Sequence, residues 1–400
     1  MNGIDSFPVL ALLAVAQGWP QFLGPDRNGV YSPGDVSPAA KPVRVWQKDV
    51  GQGFSGPIVS DGRLYLFHRV ANRETLEALE GATGKTLWKH DYPTTYRDDF
   101  GFDEGPRGTP AIDSGRVFTF GAEGMLEAVA AKTGTLLWSV DTQSKFGVSK
   151  GFFGAAASPL VDGSRVLVNV GGKDAGIVAF DAATGKVLWT ATSDEAGYSS
   201  PVLATFGGRR LAVFFTRAGL TGVDPATGKV ILQYRLRSRS HASVNAATPL
   251  VVGDSIFLSA TYDTGAVLLR VKGETVTPVW SSDDALSNHY ATSVYRDGFL
   301  FGFHGRQEFG QSFRAIELQT GKVAWTEDRF GAGTVTLAGP TLVIVRESGE
   351  LVLAPASPTD FRPTTRAPLL PATVRAFPAL ADGRLYVRNE KTLACFDLRK

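Results

Sequence analysis

The chain has 400 residues, a formal net charge of +2, 43% apolar and 20% charged side chains. That is enough apolar material for a large core, and it excludes both a disordered chain and a bundle of membrane helices. The near-neutral balance gives no electrostatic case for nucleic acid as a partner, and the single cysteine, Cys395, excludes an intramolecular disulfide framework or a multi-thiolate metal site.

The first element is the apolar run Phe7 to Ala16 in MNGIDSFPVLALLAVAQGWPQ. Ala14-Val15-Ala16 ahead of Gln17 has the small-x-small form of a signal-peptidase site. Residues 1–16 are therefore expected to be a signal peptide and the protein to be exported, to a periplasmic or extracellular place. Asp5 and the lack of Lys or Arg before the run depart from that pattern, and a strand or helix of a cytosolic protein is the alternative. No cysteine follows the cleavage point to carry a lipid anchor, and no other segment approaches the roughly 18 apolar residues of a membrane span. Residues 17–40 read as a leader and 41–400 as one domain.

The leader is followed by an orphan strand, KPVRVWQKDVG (41–51), which carries Trp46. Two hairpin phrases then alternate. The first is strand, Gly turn, strand: SGPIVSDGRLYLF (55–67), GTPAIDSGRVFTF (108–120), ASPLVDGSRVLVN (157–169), ATPLVVGDSIFLS (247–259) and FPALADGRLYVRN (377–389), with looser copies at 199–215 and 291–303. The second runs through a Thr-Gly turn into a strand ending in Trp: EGATGKTLWK (80–89), AAKTGTLLWS (130–139), DAATGKVLWT (181–190) and ELQTGKVAWT (317–326). DPATGKVILQ (224–233) has Leu232 in the Trp position. Thr-Gly supplies the positive φ of a tight hairpin turn. Trp46, Trp88, Trp138, Trp189, Trp280 and Trp325 are expected to be scaffold, each indole docking between neighbouring units against a turn glycine.

Two hairpins per unit of about 45 residues is the pattern of a four-stranded propeller blade. First hairpins start near 56, 109, 158, 200, 248, 292, 334 and 377, the seventh (GTVTLAGPTLVIVRESGELVLAP) being weak. The fold predicted is all-β, an eight-bladed propeller of four-stranded antiparallel blades. The last unit stops after three strands, so the orphan strand 41–51 is expected to complete it and close the ring.

The A/D-x-x-T-G-K-x-x-W phrase, with Ser/Thr-Pro opening the blades, resembles the quinoprotein-type (PQQ-like) β-propeller repeat over residues 41–400. That family includes pyrroloquinoline-quinone alcohol dehydrogenases and the periplasmic propeller lipoprotein of the outer-membrane barrel-assembly (Bam) complex. GWPQFLGPDRNGVY (18–31) resembles the leader of stand-alone exported members. The resemblance implies a bound quinone with calcium as one use of the fold. Against it, the chain has no adjacent cysteine pair and no assignable Asp base, so no cofactor is assigned.

In a propeller, the segments between blades cross beside the central channel, and chemistry is expected at that mouth. These crossovers hold Glu104, Arg107, Phe153, Tyr198, His241, Asn245, Asn288, His289 and Tyr290 as candidate ligand-binding residues. Polar residues there can also just satisfy strand-end backbone groups. His241 and His289 lack a third ligand of recognisable spacing, so no metal is assigned. The aromatic crossovers DYPTTYRDDFGFDEG (91–105) and QSKFGVSKGFFG (143–154) suit interface anchors or a plug folded over the mouth. Arg235, Arg237 and Arg239 lie on one strand face, as a solvated edge or an anion site. The expectation is a monomeric binding or scaffold module taking a protein or a small polar ligand. The alternative is a PQQ-dependent or other small-molecule oxidoreductase using the same mouth.

Overall fold

The computed structural model describes residues 18–238, 240 and 244–400; the expected signal peptide and Arg239 lie outside the described residues. Among the described residues, eight antiparallel sheets form the ring expected from the repeats. Blade 1 consists of Ile58–Ser60, Arg63–Val70, Arg73–Glu80 and Thr86–Pro93. Its middle strands are buried on both faces, whereas its outer strand alternates with a period of two, as a strand half in water must. The weak seventh unit forms a full blade from Gly333–Ala338, Thr341–Arg346, Glu350–Pro355 and Thr365–Pro368. The orphan strand Val43–Asp49 pairs antiparallel with Thr392–Asp397, with Trp46 opposite Cys395. It completes blade 8 and closes the ring.

The repeated phrase makes one contact again and again. The indoles of Trp46, Trp88, Trp138 and Trp189 lie on Gly84, Gly134, Gly185 and Gly228 of the next blade, and Trp280 lies on Gly321. A Cβ on these glycines would stand 2.6–2.9 Å from the ring, and each has φ between +70° and +78°. Glycine is therefore required twice, once by the turn and once by the indole. Each Nε1 also donates to the carbonyl three residues before its glycine: Gly81 at 3.0 Å, Ala131 at 3.2 Å, Ala182 at 3.1 Å, Pro225 at 3.2 Å and Leu318 at 2.8 Å. Nearer the axis, the blade-opening hydroxyls link neighbouring blades. Thr109 Oγ1 accepts from Gly56 N at 3.0 Å, Ser158 Oγ from Thr109 N at 3.0 Å, Ser200 Oγ from Ser158 N at 2.9 Å, and Thr292 Oγ1 from Thr248 N at 2.9 Å.

The leader threads the ring. Trp19 exchanges backbone hydrogen bonds with Val59 in blade 1, and Pro20 accepts from Ile112 in blade 2. Arg27, only 2% exposed, donates to Gln21 Oε1 at 2.8 Å, Pro201 O at 3.0 Å and Pro159 O. Burial with no carboxylate partner pulls its pKa down to about 9. Val30–Tyr31 then pairs in parallel with the inner strand of blade 7, and Tyr31 OH accepts from Gly383 N of blade 8 at 3.0 Å. Residues 18–31 thereby bond to blades 1, 2, 7 and 8 and to the segments that open blades 3 and 4.

If the indole contact carries the blade–blade interface, Gly185→Ala and Gly163→Ala should differ. Both glycines have positive φ, but only Gly185 faces an indole, and nothing lies within 4 Å of a Cβ at Gly163. The denaturant midpoint should fall clearly further for Gly185→Ala, and Trp138→Ala should cost about 3 kcal/mol. Equal losses at the two glycines would contradict this.

Candidate functional site

The crossover face opens into a central cavity of about 210 Å³. The leader's Phe22 is part of its lining, edge-on to Phe377 with ring centroids 4.9 Å apart. Its wall contains Phe54, Phe102, Phe153, Tyr198, Tyr262 and Tyr290, together with Arg107, Arg375, Glu308 and His289.

The two arginines are interleaved with rings. Arg107 Cζ lies 5.5 Å from the centroids of both Phe54 and Phe153, and Arg375 Cζ lies 5.5 Å from Phe54 and 5.4 Å from Phe102. Such cation–π contacts are worth about 0.5–2 kcal/mol each, more as water is excluded. Arg107 is anchored by Asp98 at 2.5 Å and by Asp103 O at 3.1 Å. Arg375 Nε donates to Glu347 Oε1 at 2.8 Å, and Tyr290 OH donates to the same oxygen at 2.7 Å. Burial, then the Glu347 carboxylate, pushes the Tyr290 hydroxyl well above its usual pKa.

On the opposite wall, His289 Nε2 meets Tyr262 OH at 3.1 Å, while its buried Nδ1 has no hydrogen-bond partner among the described residues. Burial holds the His289 pKa down at about 4, with Arg306 and Arg375 acting the same way and Glu308 opposing them. Arg306 lies over the Tyr262 ring at 4.5 Å and pairs with Glu308 at 3.0 Å. Tyr262 and Asp263 both have positive φ, at 62° and 57°, which costs about 1–2 kcal/mol per non-glycine residue. Hydrogen bonds from Ser238 Oγ and Thr264 Oγ1 to the Tyr262 carbonyl, at 2.7 and 3.3 Å, hold this strained turn.

Of the residues singled out in the sequence, Arg107, Phe153, Tyr198, His289 and Tyr290 line the mouth. Glu104 lies outside it, pairing with Arg97 at 3.2 Å and Arg69 at 3.6 Å. Asn245 Nδ2 is committed to Thr216 O and Leu236 O at 2.8 and 3.2 Å, and Asn288 Nδ2 to Phe303 O at 2.8 Å. Both amides secure crossover backbone instead of facing the cavity. His241 lies outside the described residues. Phe54, Arg375 and Phe377 are not among the sequence candidates, although they sit in the segments that lead into blades 1 and 8. A second cavity of about 500 Å³ lies off the axis, beneath the 143–156 crossover, and shares Tyr198 with the mouth. The aromatic crossovers divide: Tyr96 is buried, Phe152 and Phe153 pack in a cluster with Phe100 and Phe102, and the last two remain 56% and 48% exposed.

Among the described residues no three His, Cys, Asp or Glu side chains are grouped to hold a metal ion. No described helix is long and apolar enough to cross a membrane. A family profile described as outer membrane protein assembly factor BamB matches residues 72–327, more than half of the sequence. The chain belongs to this family. The BamB of Yersinia pestis is 24% identical over 228 residues, 55% of this chain and 56% of that protein. The quinone-dependent alcohol dehydrogenase subunit of Komagataeibacter europaeus is 36% identical over 151 residues, 35% of this chain but only 20% of that subunit. The match thus spans about a fifth of that relative's length. Among solved structures, BamB from Moraxella catarrhalis superposes with a TM-score of 0.66 at 15% identity, covering 90% of this chain and 98% of that one. Quinohemoprotein alcohol dehydrogenase from Comamonas testosteroni gives 0.69 at 14%, covering 97% and 82%. At such identities these two show the propeller fold alone.

The histidines make stability depend on pH. His304 is also held down at about 4, by burial first and Arg314 second, against Asp284. Both folded values lie below the usual imidazole value of about 6.5. The stability they contribute is full above that pH and is lost as pH falls through 4. The urea midpoint of the native protein should therefore fall more between pH 6.5 and 4 than that of a His289→Gln/His304→Gln variant. A variant that falls as steeply would contradict the assignment.

Proposed function

We propose that this protein is an exported binding module that captures a partner protein or a small ligand at the crossover mouth. The observation that carries the proposal is the rim. Phe100, Phe102 and Phe309 are 56%, 48% and 78% exposed around an aromatic cavity lined by two arginines. Exposed aromatics beside guanidinium groups are the composition of interface anchors, and burying them in a partner repays their exposure to water. BamB relatives support a binding role, since that name describes an assembly factor.

A calcium-held quinone does not fit the residues of this mouth. Calcium takes roughly six to eight oxygen ligands, whereas the carboxylate on the mouth's wall, Glu308, is tied to Arg306, and Glu347, behind the wall, is tied to Arg375. The wall presents guanidinium groups where a cation would need carboxylates. A second reading, a small-molecule oxidoreductase at the same mouth, is favoured by the 36% identity to a quinone-dependent subunit and ranks behind binding for want of that donor set.

A photo-crosslinking residue in place of Phe102 or Phe309 tests the rim, with Leu137 and Leu188 on outer strands as controls. In the native host, the rim positions should give a discrete protein adduct or be protected by a ligand, and the controls neither. Adducts from the outer strands alone would move the working surface off the mouth.

A further inference from the structure

We infer that the mouth takes a single aromatic ring bearing a carboxylate, an inference that rests on the binding role proposed above. Size sets the first limit. About 210 Å³ is less than the roughly 300–1,000 Å³ of sites for drug-sized ligands, and suits one ring instead of a fused polycycle. The wall sets the second, because its rings offer faces and edges for a further aromatic group to pack against.

The carboxylate follows from one uncommitted guanidinium edge. Arg375 is flanked by Phe54 and Phe102, so water is excluded from the faces of its guanidinium and only the N–H edge can bond. Nε is taken by Glu347, and the terminal nitrogens make no hydrogen bond among the described residues. Glu347 and Asp98, which balance Arg375 and Arg107, are not part of the cavity wall, so the guanidinium groups face the mouth with their counter-charges behind them. Across the cavity, His289 Nε2 and the Tyr262 hydroxyl share a hydrogen bond whose direction depends on the imidazole tautomer, and the buried Nδ1 has no partner among the described residues. A carboxylate can accept from the open N–H edge of Arg375, and such charge-assisted bonds are the strong ones. A neutral ring would leave that edge unmade, and a buried unmade hydrogen bond carries the full cost of desolvation. Two sources carry this chemistry: a free aryl acid, or the C-terminal Phe or Tyr of a partner chain.

Calorimetric titration of the full protein with phenylpropionate, its primary amide, and a pentapeptide ending in Phe as acid and as amide tests this. Each acid should bind at least about tenfold more tightly than its amide, and Arg375→Met should erase that preference. His289→Phe, which leaves the Arg375–Glu347 pair in place, should retain it. Tighter binding of the peptide acid assigns a chain end; tighter binding of phenylpropionate assigns a free acid. Equal affinity of acid and amide, or a preference that survives Arg375→Met, overturns the inference. Absence of binding while Phe102 and Phe309 still crosslink a partner overturns it and leaves the binding role standing, whereas failure of both removes the mouth from the account.

Discussion

The packing of an indole on a bare turn glycine is the contact on which the rest of this propeller depends. It fixes the distance between adjacent blades, because the ring and the turn backbone touch with no room for a Cβ. It also fixes their rotation, because Nε1 can reach the carbonyl three residues back only in one orientation. Repeated around the ring, these constraints direct every crossover to one face. The mouth is a product of the scaffold before any residue in it is chosen.

Where the repeat lapses, other contacts take over. Blade 4 carries Leu232 in the indole's place, buried beside Gly222. Trp325 has no Thr-Gly turn to meet in blade 7, and it packs at a tilt against Phe361 and donates to Ser357 O at 2.9 Å. The outer strand of blade 7, Thr365–Pro368, carries no tryptophan. There the leader does the joining: Tyr31 reaches the turn of blade 8, Ser37 N donates to Leu398 O at 2.8 Å, and Thr365 Oγ1 donates to Ala40 O at 3.1 Å. The same segment brings Phe22 into the lining of the mouth, so it both ties this junction and helps to shape the pocket.

The ring was legible in the sequence because its signals are local. A Thr-Gly turn five residues before a tryptophan needs no tertiary knowledge to read, and the missing last strand matched the orphan first one. The mouth was legible only in place. Topology sends the crossovers there, which brings Arg107, Phe153, Tyr198, His289 and Tyr290 to the cavity. Whether a polar crossover residue faces the cavity depends on carbonyls far away in the chain, and nothing near Asn245 or Asn288 announces that Thr216 and Phe303 claim their amides. The leader's path was illegible for the same reason. Its one sheet pairing is two residues long and parallel, and Arg27 finds its partners more than a hundred residues away. Phe54 and Arg375 had a readable signal, since both lie in segments that enter a blade.

The most direct measurement is a crystal structure of the protein soaked with phenylpropionate. The account predicts density in the mouth, the ring among Phe54, Phe102 and Phe153 and the carboxylate on the N–H edge of Arg375. Density only in the off-axis cavity beneath the 143–156 crossover, or an empty mouth at saturating ligand, would contradict it.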